Sequence, residues 1–288
     1  MACINAGHFI YSMNLTPETI KSLFPEVLRI ALESGKIIRE QSRGPLNISH
    51  KGPMDLVTQT DVAVEEFLIE KLGELDRSIA FLGEESTAKG LTASLKAPAW
   101  IIDPVDGTTN YAHRMPFVAT SLALWSGSEV LLGIVNCPLI DECFYAVRGA
   151  GAYMGKGPDA KGNFAESTKL EVSKTKELSS SLLATGFPYD TKENLHLILK
   201  RLEKVLPATQ GLRRFGAAAL DLAYVAAGRF DAYYEEWLKP WDVAAGWLLV
   251  KEAGGRVGTL NGGRYTLESS GIVAANPLVY HSLLSLLA

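Results

Sequence analysis

Two aspartates stand three residues apart at the end of an apolar run and are followed at once by a glycine and two threonines; the stretch Trp100 to Tyr111 reads WIIDPVDGTTNY. Pro104 stiffens the backbone between Asp103 and Asp106, so both carboxylates can face one point, where two unpaired charges repel strongly. A hard divalent cation removes that repulsion. Oxygen donors favour Mg²⁺ or Mn²⁺ over zinc, since no cysteine or histidine lies close by except His113. Gly107 permits close backbone approach, and the amides of Gly107, Thr108 and Thr109 suit a phosphate if a helix begins there. The same residues also suit a structural turn in which an aspartate caps a helix.

A cation site needs further acids, and the sequence has three groups of them. FLGEES places Glu84 and Glu85 directly after the apolar run Ile79 to Leu82, where consecutive acids pack poorly and ligate well. KPWDVAAG places Asp242 ahead of an apolar helical run, a position that equally suits an N-cap. DLVTQTD, from Asp55 to Asp61, puts two acids and two threonines before another helical pattern, and capping by Thr60 or Asp61 is the structural alternative.

These groups need elements to hold them. Thr16, Pro17 and Glu18 form a helix start, with Ile20, Leu23, Val27, Ile30, Ile37 and Ile38 recurring at helical spacing. A second helix is predicted from about Thr60 and Asp61, with Val64, Phe67, Leu68, Leu72 and Leu75 on one side. Short apolar runs then predict strands at Ile79 to Leu82, Trp100 to Ile102, Phe117 to Trp125, Val130 to Asn136 and Cys143 to Val147, with a hairpin turn at Ser126 to Ser128. Leu182 to Thr185, Ala232 to Tyr234 and Ile272 to Ala274 are further strands, among helices at Glu193 to Val205, Ala217 to Ala227 and Val243 to Ala253. Helices, a run of strands, then alternation predict a layered α/β or α+β sandwich. Gly155 to Ser167 reads as an exposed loop.

Composition bounds the rest. At about 150 residues per domain, 288 residues make one large domain or two joined halves. With 47% apolar and 21% charged residues the chain is neither disordered nor fibrous. A formal charge of −4 gives no general attraction to nucleic acid or to an anionic membrane. Cys3, Cys137 and Cys143 are too few for a disulfide framework, which points to a reducing, cytoplasmic setting. Residues 1–14 read as an extension, expected to be disordered, ahead of one unit over 15–288. The richest apolar region, Phe117 to Ile140, is broken by Ser126 to Glu129, so no membrane span is expected. Gly149, Gly151 and Gly155 miss the dinucleotide fingerprint and suit a hairpin. His113 reads as a supporting or surface group. Arg213, Arg214 and Arg229 form either a basic contact patch or, more simply, scattered surface arginines.

Taken in order, DLVTQTD, GEES, WIIDPVDGTTNY, GFPY (Gly186 to Tyr189), the stretch Gly216 to Glu235 and KPWDVAAG resemble the inositol monophosphatase family of Mg²⁺-dependent, lithium-sensitive phosphatases, in its bacterial-type branch. The resemblance covers nearly the whole chain from Leu15. It implies a layered αβαβα sandwich, usually as a homodimer. It also implies that Glu84, Asp103 and the Val105 carbonyl hold one metal and that Asp103, Asp106 and Asp242 hold a second, with a third, weaker Mg²⁺ near Glu84 and Asp103 in some members. Thr108, hydrogen-bonded to Asp61, would orient and deprotonate the attacking water, with Glu84 in the same catalytic group. The amides of Gly107 and Thr108 would meet the phosphate, and Asp106, Gly216, Ala218, Glu235 and Asp242 would surround the substrate. Lys51 takes either a weak phosphate role or that of a loop lysine, and Glu236 reads as a solvated acid.

The resemblance implies hydrolysis of myo-inositol 1-phosphate, or a related polyol phosphate, by in-line attack of a metal-activated water. Relatives on this fold act instead on fructose 1,6-bisphosphate, histidinol phosphate, adenosine 3',5'-bisphosphate or NADP. Bacterial-type members have also been associated with RNA polymerase, and the Arg213 and Arg214 pair is the feature that hints at such a protein contact.

Overall fold

Thr16 accepts the Thr19 amide through its hydroxyl at 3.2 Å, and Pro17 opens helix α1 (Pro17–Gln41). The computed structural model describes residues 15–50, 52, 55–88, 90, 94–157, 166–188 and 191–288. The expected extension over 1–14, Lys51, Tyr189 and much of the expected loop Gly155 to Ser167 lie outside the described residues.

After α1 come strands β1 (Ile48–His50) and β2 (Leu56–Thr58), helix α2 (Gln59–Leu75), β3 (Ala80–Gly83), α3 (Glu84–Ala88), β4 (Ala99–Asp106) and α4 (Thr108–Ala112). Next are β5 (Ala119–Trp125), β6 (Val130–Cys137), β7 (Glu142–Val147), β8 (Gly151–Gly155), β9 (Ser167–Lys169), β10 (Leu182–Thr185), α5 (Thr191–Val205) and β11 (Gly211–Arg213). The chain ends with α6 (Ala218–Ala226), β12 (Ala232–Glu236), α7 (Pro240–Glu252), β13 (Arg256–Gly258), β14 (Gly271–Ala275) and α8 (Tyr280–Leu287).

Strands β3 to β9 lie in sequence order in one sheet, antiparallel except for the parallel β3 and β4 pair. The second sheet has the order β11-β10-β12-β14-β13. Alternation along each strand sends successive side chains to opposite faces, and both faces of both sheets are apolar. Trp100, Ile102, Leu122 and Ile134 pack under α1 and α2. Ile101, Ala123 and Phe144 on the reverse face join Leu222, Leu248 and Leu249 of α6 and α7 and Tyr233 and Ile272 of the second sheet. The outer face of that sheet, with Leu183, Ala232 and Val273, is covered by α8 and the end of α5. The order is therefore helix, sheet, helix, sheet, helix: the αβαβα sandwich implied by the resemblance.

The middle helix layer sits close to the larger sheet because small residues face each other there. A Cβ on Gly133 of β6 would lie 2.8 Å from the Ala245 carbonyl of α7, and one on Gly246 would lie 2.5 Å from Leu222 of α6. Strand β4 runs on through Asp106, where the sequence suggested a turn after Ile102; its register against β5 shifts between Asp103 and Asp106. Pro104 donates no ladder bond, and the Thr120 hydroxyl instead satisfies its carbonyl at 3.0 Å. The expected hairpin at Gly149 to Gly155 joins β7 to β8, with Val147 opposite Gly151. Cys137 and Cys143 are buried and free. They belong to the cores on opposite faces of the sheet. Among the described residues no helix is long and apolar enough to cross a membrane.

Candidate active site

The C-terminal end of β4 opens into a cavity of about 520 Å³. Asp103, Val105, Asp106, Gly107, Thr108 and Thr109 line it from β4 and the start of α4, Glu84 from α3, Asp242 from α7, and Gly216, Ala218 and Glu235 from the α6 and β12 side. The residues that the resemblance implies for metal and substrate thus share this lining, and Asp61, outside it, reaches it through the Thr108 hydroxyl. That volume falls in the range of small-molecule sites.

Asp103, Asp106, Asp242 and Asp61 are each oriented by backbone amides. Asp103 accepts the Val105 amide at 3.0 Å. Asp106 accepts the amides of Ala218, Ala219 and Leu220 at 3.1, 2.7 and 3.4 Å, so it caps α6 from outside that helix. The Ala218 amide is thereby occupied, and Ala218 meets the cavity without it. Asp242, at the third position of α7, accepts the Lys239 amide at 2.6 Å. Asp61 accepts the Thr58 amide and hydroxyl at 2.8 and 2.5 Å, closing a capping box on α2, and its other oxygen accepts the Thr108 hydroxyl at 2.9 Å. The Thr108 hydroxyl also lies 3.0 Å from the Val105 carbonyl.

The electrostatics follow from crowding. Burial, then the charges of Glu84, Asp106 and Asp242, push the Asp103 carboxyl well above its ordinary value. Burial and Glu84 do the same to Asp242. Asp106 is raised to about 7 by burial, against the three amides that favour its charge. Across the cavity, burial raises Glu235 to about 7, while the Tyr233 hydroxyl and the Arg214 charge act in the other direction. Asp61 is raised by burial, with its Thr58 and Thr108 hydrogen bonds opposing.

Among the described residues no three His, Cys, Asp or Glu side chains are already gathered as a finished cation cage. The donor chemistry nevertheless fits a hard cation. A carboxylate offers about four lone-pair sites; Asp103 and Asp242 each give one to an amide and Asp106 gives three, so each keeps capacity toward the cavity. Mutual repulsion among buried carboxylates with no zinc-type ligand beside them is the imbalance that a divalent ion relieves.

Several sequence expectations change. Arg214 lines the cavity, 5.9 Å from the Phe187 ring, while Arg229 makes two bonds to Glu142 elsewhere, so the arginines form no joint patch. Glu236 is partly buried, paired with Arg201 and on the cavity rim, not a solvated acid. His113 is exposed. Asp61 and Asp242 both act in helix capping, Asp61 as the third residue of its box and not as the cap itself.

The structure also adds residues. Phe187, Trp237 and Trp241 line the cavity, beside Asp55 of DLVTQTD, an acid already singled out from the sequence. Asn110 donates to the carbonyls of Phe117 and Phe215 at 2.8 and 2.7 Å, tying α4 to the segment before α6. Glu65 of α2 accepts amides of α3; its only mark in the sequence is a charge on an otherwise apolar helical stripe.

Residues 23–287 match the Inositol monophosphatase family. The chain is 36% identical over 253 residues to the inositol monophosphatase of Dictyostelium discoideum, covering 87% of this chain and 89% of that protein. It is 38% identical over 242 residues to the inositol-1-monophosphatase of Caulobacter vibrioides, covering 83% and 90%. Among solved structures, the extragenic suppressor protein suhB of Bartonella henselae superposes with a TM-score of 0.82 at 34% identity, over 92% of this chain and 98% of that one.

Proposed function

The chain belongs to the inositol monophosphatase family, a family of phosphoric monoester hydrolases, and from that premise we propose that it hydrolyses myo-inositol 1-phosphate, or a related small polyol phosphate, with Mg²⁺ as cofactor. One observation carries the reading: a single cavity is lined by Glu84, Asp103, Asp106 and Asp242 together with Glu235. We assign Glu84, Asp103 and the Val105 carbonyl to one metal and Asp103, Asp106 and Asp242 to a second, with a third, weaker position near Glu84 and Asp103 and Mn²⁺ as a substitute. Such ions, when bound, lower the pKa of the attacking water, neutralise phosphate charge and stabilise the leaving alkoxide.

The chain supplies the rest. Thr108 has one hydroxyl proton to donate, and donating it to Asp61 leaves its lone pairs free to accept a proton from water in the cavity. Asp61, made a stronger proton acceptor by burial, takes the Thr108 hydroxyl proton as Thr108 takes one from the water. The amides of Gly107 and Thr108 hold the phosphate, since α4 opens at Gly107 with no side-chain cap in front of it. Glu235 accepts the Tyr233 hydroxyl with one oxygen and keeps the other for a substrate hydroxyl. Asp106, Gly216, Ala218, Glu235 and Asp242 then surround the alcohol, a polar lining suited to a polyol. We place this activity in a cytoplasmic homodimer built from the unit 15–288.

Phosphate release from inositol 1-phosphate, fructose 1,6-bisphosphate, histidinol phosphate, adenosine 3',5'-bisphosphate and NADP, with Mg²⁺ and with EDTA, tests the proposal beside an Asp103→Asn control. Mg²⁺-dependent release led by inositol 1-phosphate and lost in the control is expected. Preference for another compound overturns the substrate, and no release by folded, Mg²⁺-supplied protein overturns the activity.

A further inference from the structure

Helix α2 buries a stripe formed by Asp61, Val64, Glu65, Leu68 and Leu72, and Glu65 is only 3% exposed within it. Burying a carboxylate is unfavourable unless it is well hydrogen-bonded, so its partners define what it does. Glu65 accepts the Glu85 amide at 2.9 Å with one oxygen and the Ser86 amide at 2.6 Å with the other. Both amides belong to the first turn of α3, where backbone donors have no acceptor inside the helix. Gly83 completes the seat from the strand side: a Cβ there would lie 2.4 Å from one Glu65 oxygen and 2.6 Å from the carboxyl carbon. The carboxylate therefore bonds the two residues after Glu84 and lies close against the residue before it, while Glu84 itself lines the cavity.

We propose that Glu65 is a positioning residue for Glu84, locking the corner between β3 and α3 so that the Glu84 carboxylate meets Asp103 and Asp106 across the cavity. The proposal rests on the reading of Glu84 as a metal ligand. A cap that only stabilised α3 would need no absent Cβ at Gly83 and no seat spanning both sides of one cavity residue. Groups that orient a ligand from behind typically change metal affinity about 10- to 100-fold when replaced.

Mn²⁺ binding to the substrate-free protein, measured by titration calorimetry, tests this in Glu65→Gln, which keeps the volume but turns an NH₂ toward an amide, and in Gly83→Ala, which displaces the carboxylate without altering it. Both are expected to weaken Mn²⁺ binding about tenfold or more, with kcat recovered at proportionately higher metal and KM for inositol 1-phosphate unchanged. Val64→Ala, a buried truncation beside Glu65 that does not touch the seat, is expected to lower Tm and keep wild-type affinity. Affinity within about twofold of wild type in a folded Glu65→Gln or Gly83→Ala, or an equal loss in Val64→Ala, overturns the proposal. If one variant does not fold the other decides, and if neither folds Glu65 is a folding residue and the proposal falls. Wild-type protein whose Mn²⁺ binding is absent, or survives Glu84→Gln, overturns the metal reading itself, a distinct result.

Discussion

Replacing Thr108 by valine removes one hydroxyl and almost no volume, at a side chain 7% exposed. Asp61 keeps its bonds from the Thr58 amide and hydroxyl at 2.8 and 2.5 Å, so the box that starts α2 survives and only the 2.9 Å donor is lost. Leaving that buried oxygen short of a donor costs about 1–3 kcal/mol. Unfolding entropy of about 2.1 cal/mol/K per residue gives about 0.6 kcal/mol/K for a chain of this length, so Tm falls by about 2–5 °C. Losing the route by which a proton leaves the water lowers kcat about 10²- to 10⁴-fold, a barrier increase of about 3–5 kcal/mol. Loss of folded protein at 25 °C cannot mimic that. Asp61→Asn interrupts the same route, so the double variant should be no slower than the slower single one. Phosphate release at saturating inositol 1-phosphate and Mg²⁺, beside thermal melts, measures both quantities. A Thr108→Val kcat within about threefold of wild type, or losses that multiply in the double variant, refutes the assignment of Thr108 and Asp61 as one unit.

Metal-free protein should lose stability as pH rises: Glu235 is raised from 4.5 to about 7 in the folded chain, so its contribution is complete below about pH 4.5 and disappears as pH passes 7. That difference is at most about 3 kcal/mol, because water in the open cavity screens the group, and melts in EDTA from pH 5 to 8 should show a decline to which the raised Asp106 also contributes and which Glu235→Gln reduces by up to about 5 °C; a decline equal in the variant contradicts this. Asp106→Ala leaves the amides of Ala218, Ala219 and Leu220 without their acceptor, and urea unfolding should show a loss of at least about 2 kcal/mol together with loss of Mg²⁺-dependent turnover. Gly133→Ala presses a methyl to 2.8 Å from the Ala245 carbonyl; overpacking of this kind costs about 1–3 kcal/mol and should lower both Tm and, by shifting α7, the affinity for metal.

The readings from sequence were best where a choice was local and weakest where it depended on a distant partner. Thr16 and Pro17 start α1 as their chemistry requires, and the apolar runs became strands because alternation on a two-sided sheet permits continuous burial. The strand β4 was expected to stop at Ile102, since aspartate and proline seldom occupy a buried strand, yet it continues because Thr120 satisfies the Pro104 carbonyl and Asp106 finds amides of α6. Helix α6 begins behind Ala217, which has no side-chain cap, and no local signal could show that Asp106, 112 residues earlier, supplies one. Glu236, at the end of β12, reads from its neighbours as solvated, since its partner Arg201 lies 35 residues earlier on α5.

The alternatives posed at each acid, helix cap or site residue, need not compete. Asp61 starts α2, Asp106 starts α6, Asp242 accepts an amide at the start of α7, and Glu65 seats α3. At Asp61 and Asp242 the bond to backbone fixes one oxygen and thereby aims the other. Asp106 and Glu65 are bonded to amides through both oxygens and so held as whole carboxylates, where free side chains would occupy several rotamers. The bonds at Asp106 and Asp242 also anchor the starts of α6 and α7 at the cavity, whose lining includes Ala217, Ala218, Lys239 and Asp242. Capping is thus how the fold sets the position of these acids, and a substitution that keeps the charge but shortens the side chain, such as Glu65→Asp, should disturb helix and site together. Stability and metal affinity are therefore expected to move in step at these four positions and independently elsewhere in the core, as the Val64→Ala comparison would reveal.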